Sequence, residues 1–145
     1  MGLLAKSYMD QGDLVPDQVT IDMLESEVDQ NPEAKGFIFD GFPRTEAQAG
    51  ALDAFLAKKQ MKISATIALE AEDDILVERL LERGKSSGRT DDQDESKIRN
   101  RFEEYNQKTA PLRDYYTKQN KFHSVNGIGT IEEITQRLTQ LINSL

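Results

Sequence analysis

Cysteine is missing from this 145-residue chain, and histidine occurs once. Without cysteine no disulfide framework forms, and a lone histidine leaves no His/Cys cluster of the kind that binds structural zinc. Positive charge is also scarce. The 18 Lys and Arg stand against 26 Asp and Glu, a formal net charge of −8, so there is no broad basic footprint for nucleic acid. No apolar run approaches the roughly 18 residues a membrane span needs. The start, MGLLAKSYMDQGD, is too short in its apolar part for a secretory signal. These absences predict a soluble, cytoplasmic protein in which any anionic ligand is held by locally gathered arginines.

What is present is globular. At 37% hydrophobic and 30% charged residues, the composition suits one domain spanning 1–145, and no linker or internal repeat divides it. Three short apolar or β-branched runs, 36–40, 63–69 (ISATIAL) and 121–125, have the pattern of buried parallel strands. Amphipathic segments lie around them: from Pro16 through Val28, 45–59, 73–83, a longer one over 94–116, and 130–145. In the last, Thr130 and Glu133 have capping-box spacing. Alternating strands and helices predict an α/β fold, a parallel sheet with crossover helices.

The stretch GFIFDGFPRT, residues 36–45, ends an apparent strand on Asp40. In open α/β sheets ligands sit beyond the carboxyl ends of the strands, where a carboxylate is suited to magnesium, usually through water. Gly41 permits close backbone approach, Pro43 fixes the turn, and Arg44 offers a planar fork of donors suited to phosphate. The alternative is a simple Asp-Gly turn with a solvated arginine. Farther on, Arg83, Arg89 and Arg101 fall around one glycine-bounded loop in GKSSGRTDDQDESKIRNR. The positions of Arg83 and Arg101 beside apolar stripes predict that they close over an anionic ligand such as a polyphosphate. Here the alternative is surface pairing with Asp91, Asp92, Asp94 and Glu95, the preferred reading for Arg79 and Arg99. His123 reads as a strand residue, and Tyr105, Tyr115 and Tyr116 as packing groups.

GFIFDGFPRTEAQ, with YMDQGDLVPDQVTIDML before it and SGRTDDQDESKIRNRFEEYNQKTAPLRDYY after it, resembles the adenylate kinases over essentially the whole chain. The resemblance implies a P-loop NTPase-like fold and reversible phosphoryl transfer, ATP + AMP = 2 ADP, with Mg2+. The compact GKSSG is similar to the short-lid branch, with 84–94 as the lid and 1–30 as part of the AMP-binding region. It further implies that Asp13, Leu14 and Val15 surround the AMP base, and that Gly41, Phe42, Pro43 and Arg44 line the AMP site. Gln48 would contact the adenine edge, although Thr45 with Gln48 is also a capping box. Asp40 would order magnesium-bound water, Arg83 would bind ATP phosphates, Arg89 and Arg101 would clamp AMP and the transferring group, and Gly129 would lie near the ATP adenine.

The chain also departs from the family pattern. The resemblance implies a first, central strand and a G-x-x-x-x-G-K-[ST] phosphate loop, and neither is in this sequence. The GKS at 84–86 is a decoy, because Arg79 stands where the motif needs its first glycine and the tripeptide follows a helix. A sheet without its middle strand predicts a chain that is unstable alone, rearranged, or completed by self-association or swapping. Two functional expectations follow: an adenylate kinase whose 145-residue segment is inactive alone, and a non-catalytic nucleotide-binding or regulatory fragment. A UMP/CMP kinase fits less well, because Gln48 after GFPRT matches the adenine-selecting pattern.

Overall fold

A computed structural model describes residues 2–4, 7, 16–88 and 92–145, and the chain divides into two compact units, Met1–Lys62 and Ile63–Leu145. In the first unit, helices α1 (Asp17–Gln30) and α2 (Glu46–Lys58) pack together. Their apolar stripes bury Val28 from α1 and Ala49, Leu52, Phe55 and Leu56 from α2. Pro16 stands immediately before α1, where its missing N–H costs the helix nothing. Thr45 caps α2, its hydroxyl accepting from the Gln48 N–H. An ion pair between Lys59 and Asp29 joins the far ends of the two helices.

The segment 36–40 is irregular rather than a strand, and bends at Asp40. The expected first strand is thus corrected: no described residue of its unit offers a ladder to pair with. Phe37 and Phe39 turn to one side, half-buried, with ring centroids 6.4 Å apart, while Ile38 is 94% exposed. The apolar pattern was real, but a strand needs a neighbour to satisfy its backbone groups.

The second unit holds the sheet. Strands β1 (Thr66–Glu70) and β2 (Phe122–Asn126) pair in parallel, in register from Thr66 against Phe122 to Glu70 against Asn126. Between them run α3 (Asp73–Ser87), α4 (Glu95–Lys108) and α5 (Pro111–Thr117), and α6 (Ile131–Ser144) follows β2. This is a parallel pair joined by helices, as the alternation predicts. Val77, Ile98, Leu112, Tyr116 and Val125 form the buried core, drawn from α3, α4, α5 and β2. His123 lies in β2 opposite Ile67, as expected of a strand residue.

Two helix boundaries and the burial of one tyrosine differ from the sequence expectation. The single helix over 94–116 is two, because Pro111 cannot donate to the preceding turn and instead opens α5. Tyr105, expected inward, is exposed near the end of α4. Residues 84–87, expected as a loop, are the last turn of α3, which stops only at Gly88 in the left-handed conformation (φ 69°). Lys85, Ser86 and Ser87 tolerate a helix, and the left-handed stop needs the glycine. The GKS decoy is therefore helical throughout. At α4, Asp94 is the N-cap, accepting from the Ser96 hydroxyl at 2.6 Å and the Ser96 N–H at 2.8 Å. These bonds, the hydroxyl first, hold its carboxyl below the ordinary value for aspartate.

Candidate functional site

In the first unit, Gly41 takes a positive φ of 71°, which only glycine adopts without strain, and the Phe42–Pro43 peptide is cis. This turn brings Arg44 back over Gly41, whose carbonyl accepts from Arg44 Nε at 2.7 Å. The guanidinium is thus held near the turn while its side chain stays exposed. Asp40, one residue earlier, is also exposed. A lone exposed carboxylate fits outer-sphere magnesium, which keeps most of its water and takes further oxygens from nucleotide phosphate. Among the described residues no group of three or more His, Cys, Asp or Glu is placed to cage a metal on its own.

Gln48 is buried, and its side chain does more than the capping box predicts. Its Oε1 accepts from the Arg44 N–H at 2.8 Å, one residue before the cap, and its Nε2 donates to Asp17 Oδ1 at 2.6 Å. The box is therefore half-formed: Thr45 caps the helix, but the glutamine braces the arginine's backbone and the start of α1. Asp17 is the residue that sequence reasoning missed. Only its spacing at the first turn of α1 was legible, and the partner lies 31 residues away. Asp13, Leu14 and Val15 lie outside the described residues.

In the second unit, two arginines from different helices meet on one carboxylate. Arg83, near the end of α3, donates from Nε at 2.8 Å and from Nη2 at 2.5 Å to Asp92 Oδ2. Arg101 of α4 donates from Nη1 to Asp92 Oδ1 at 2.7 Å. Asp92 is 0% exposed, whereas the arginine side chains are 47% and 40% exposed. One buried anion thus fixes two cations whose side chains stay part-exposed. Gly84 makes room for this arrangement, since a Cβ there would lie 2.5 Å from the Asp92 carbonyl oxygen. The surface-pairing alternative is half right: Asp92 does pair with the arginines, but from the interior. Arg89 lies outside the described residues.

Arg79 corrects its expectation. It donates from Nη1 to the Gly127 carbonyl at 2.6 Å rather than to the acidic run. Arg137 of α6 reaches the same loop, donating to the carbonyls of Asn126 at 2.8 Å and Ile128 at 2.6 Å. Arg99 does pair at the surface, with Glu95 at 2.9 Å and Asp74 at 3.1 Å. Its guanidinium is held charged still more firmly by those two hydrogen bonds, Glu95 first. Gly129 sits at φ 125° directly before the Thr130 and Glu133 capping box, which is complete. A Cβ on Gly129 would crowd Glu133 Oε2 of that cap, and the positive φ independently favours glycine there.

The second unit thus gathers two arginines on a buried carboxylate in a parallel α/β frame, and the first holds Arg44 on an Asp-Gly-Phe-Pro-Arg turn. The family described as Adenylate kinase matches residues 1–121. The chain is 70% identical over all 145 residues to an adenylate kinase of Flavobacterium psychrophilum, covering 76% of that protein. It is 61% identical to one of Flavobacterium johnsoniae and 46% identical to one of Parabacteroides distasonis, each over the whole chain and 76% of the relative. The chain belongs to the adenylate kinase family, and its helix-rich α/β structure with a small parallel sheet accords with the P-loop NTPase-like fold of that family. Among the described residues no helix is long and apolar enough to cross a membrane.

Proposed function

We propose that this chain carries the AMP-binding residues and the transfer arginines of an enzyme that interconverts ATP and AMP with two ADP. The observation that carries the reading is the pairing of Arg83 and Arg101 on buried Asp92, which holds two part-exposed cations in fixed places. Phosphoryl transfer spreads negative charge over the moving group, so catalysis is mostly positioning and neutralisation. In this reading Arg83 binds ATP phosphates, while Arg101 and Arg89 clamp AMP and the transferring group. Arg44 meets the AMP phosphate beside Gly41, Phe42 and Pro43, and Gln48 contacts the adenine edge. Asp13, Leu14 and Val15 surround that base, and Gly129 lies near the ATP adenine. Residues 84–94 act as the lid, beginning as a helix end and turning at Gly88.

Mg2+ bound with ATP would neutralise nucleotide phosphate charge, and Asp40 is the residue to hold it through water. The 145 residues contain no G-x-x-x-x-G-K-[ST] loop, so we assign turnover to a protein that also supplies one. The test is ADP formation from ATP and AMP by the purified 145-residue chain. No turnover above background is expected, and a rate comparable to that of a complete kinase overturns the assignment. A non-catalytic nucleotide-binding role is favoured instead if AMP binds while a chain extended by a phosphate loop also fails to turn over.

A further inference from the structure

The carboxamide of Gln48 is held at both ends by groups of opposite character. Asp17 presents an ionised oxygen, which only accepts, to Nε2 at 2.6 Å. The Arg44 backbone N–H, which only donates, meets Oε1 at 2.8 Å. Turning the amide by 180° would set nitrogen against N–H and oxygen against carboxylate, losing both bonds and creating two repulsions. The orientation is therefore fixed by chemistry on both sides.

This matters because a glutamine amide is nearly symmetric in shape and reads purines only through its orientation. Adenine offers a donor at N6 beside an acceptor at N1. A 6-oxopurine offers the reverse, an acceptor at O6 beside a donor at N1. After the two bonds above, Nε2 retains one hydrogen and Oε1 one lone pair, the complement of adenine. A freely turning amide would satisfy either base.

We propose that Asp17 is a specificity-determining positioning residue, which locks the Gln48 amide in the orientation that accepts adenine and rejects 6-oxopurines. The inference rests on the reading of Gln48 as the base contact. Asp17 itself touches no base in this account. Its effect passes through the glutamine, so it should appear in discrimination between bases rather than in affinity for the shared ribose phosphate.

The experiment is calorimetric titration of AMP and of IMP, which differ in the edge presented, into the wild-type chain, Asp17→Asn, Asp17→Ser and Gln48→Ala. Asparagine keeps the size of Asp17 but both donates and accepts, so at its end it tolerates either amide orientation and leaves the Arg44 N–H as the one remaining lock. Serine guards against a peculiarity of the first variant, and Asp17 lies at the exposed start of α1, where neither substitution empties a core. The expected result is that the AMP preference over IMP falls by about threefold to tenfold in Asp17→Asn and Asp17→Ser, where the Arg44 N–H alone still favours one orientation, and is lost in Gln48→Ala. A merely structural role would weaken both nucleotides equally and leave the ratio unchanged. An unchanged ratio in the Asp17 variants, with the preference lost in Gln48→Ala, overturns the role of Asp17 and leaves Gln48 as the base contact. An unchanged ratio in Gln48→Ala, or no AMP binding by the wild-type chain, overturns both. Tighter AMP binding in the Asp17 variants with an unchanged ratio makes Asp17 a competitor for Gln48 and also overturns the proposal.

Discussion

Asp40 and Asp92 are both aspartates beside arginines assigned to phosphate, yet their surroundings are opposite. Asp40 ends an irregular segment that joins no sheet and faces solvent, whereas Asp92 is fully buried between two helices and satisfied by two guanidinium groups. The same contrast separates Ile38, 94% exposed, from Ile98, 0% exposed. In the second unit the chain closes on itself, and its polar site is part of the core. In the first, the turn that carries Arg44 is held by local bonds, and the apolar segment before it contributes little packing. Site geometry in the first unit thus rests on an exposed turn tied to α1 through Gln48 and Asp17, 31 residues apart, and in the second on a buried carboxylate shared by two helices.

The largest expected break in that comparison is Ile98→Ala. Removing a fully buried side chain from α4 costs about 2–5 kcal/mol, read as a fall in the urea midpoint. Asp92→Ala should follow at about 2–3 kcal/mol, less than a wholly buried pair because both arginines are part-exposed to water. If Asp92→Ala leaves the midpoint unchanged, the carboxylate does not organise the second unit. Thr130→Ala removes the complete capping box at α6 and should cost about 1 kcal/mol, seen in the midpoint and in reduced helicity by circular dichroism. Ile38→Ser is the smallest, within about 0.5 kcal/mol, since that side chain has almost nothing to lose. A cost near that of Ile98→Ala would mean that the 36–40 segment is packed after all, and would erase the contrast.

Much of the second unit was legible in the sequence, because its signals are local and mutually consistent. The β-branched runs became β1 and β2, the Thr130 and Glu133 spacing became a full capping box, and His123 stayed a strand residue. Misreadings arose where a local pattern needed a distant partner or a competing terminator. GFIFD has the hydrophobicity of a strand but no neighbour in its unit, and hydrophobicity alone does not supply hydrogen bonds. A continuous helix over 94–116 does not survive Pro111, and GKSS, loop-like in composition, stays helical until Gly88 compels the turn. Arg79 donates to a carbonyl 48 residues away, which nothing in its sequence neighbourhood announces. Asp92 appeared among the possible partners of the arginines, but its burial and Gly84's accommodation of its backbone are tertiary facts.

The central claim is that the turn from Gly41 to Gln48 is an AMP site anchored by Arg44, and titration of AMP into the isotopically labelled 145-residue chain tests it most directly. The account predicts amide shift changes concentrated over residues 41–48, and an affinity that falls in Arg44→Ala by about 1.5–3 kcal/mol, the worth of a charge-assisted phosphate contact. Unchanged AMP affinity in Arg44→Ala, or shift changes that miss residues 41–48, would contradict it.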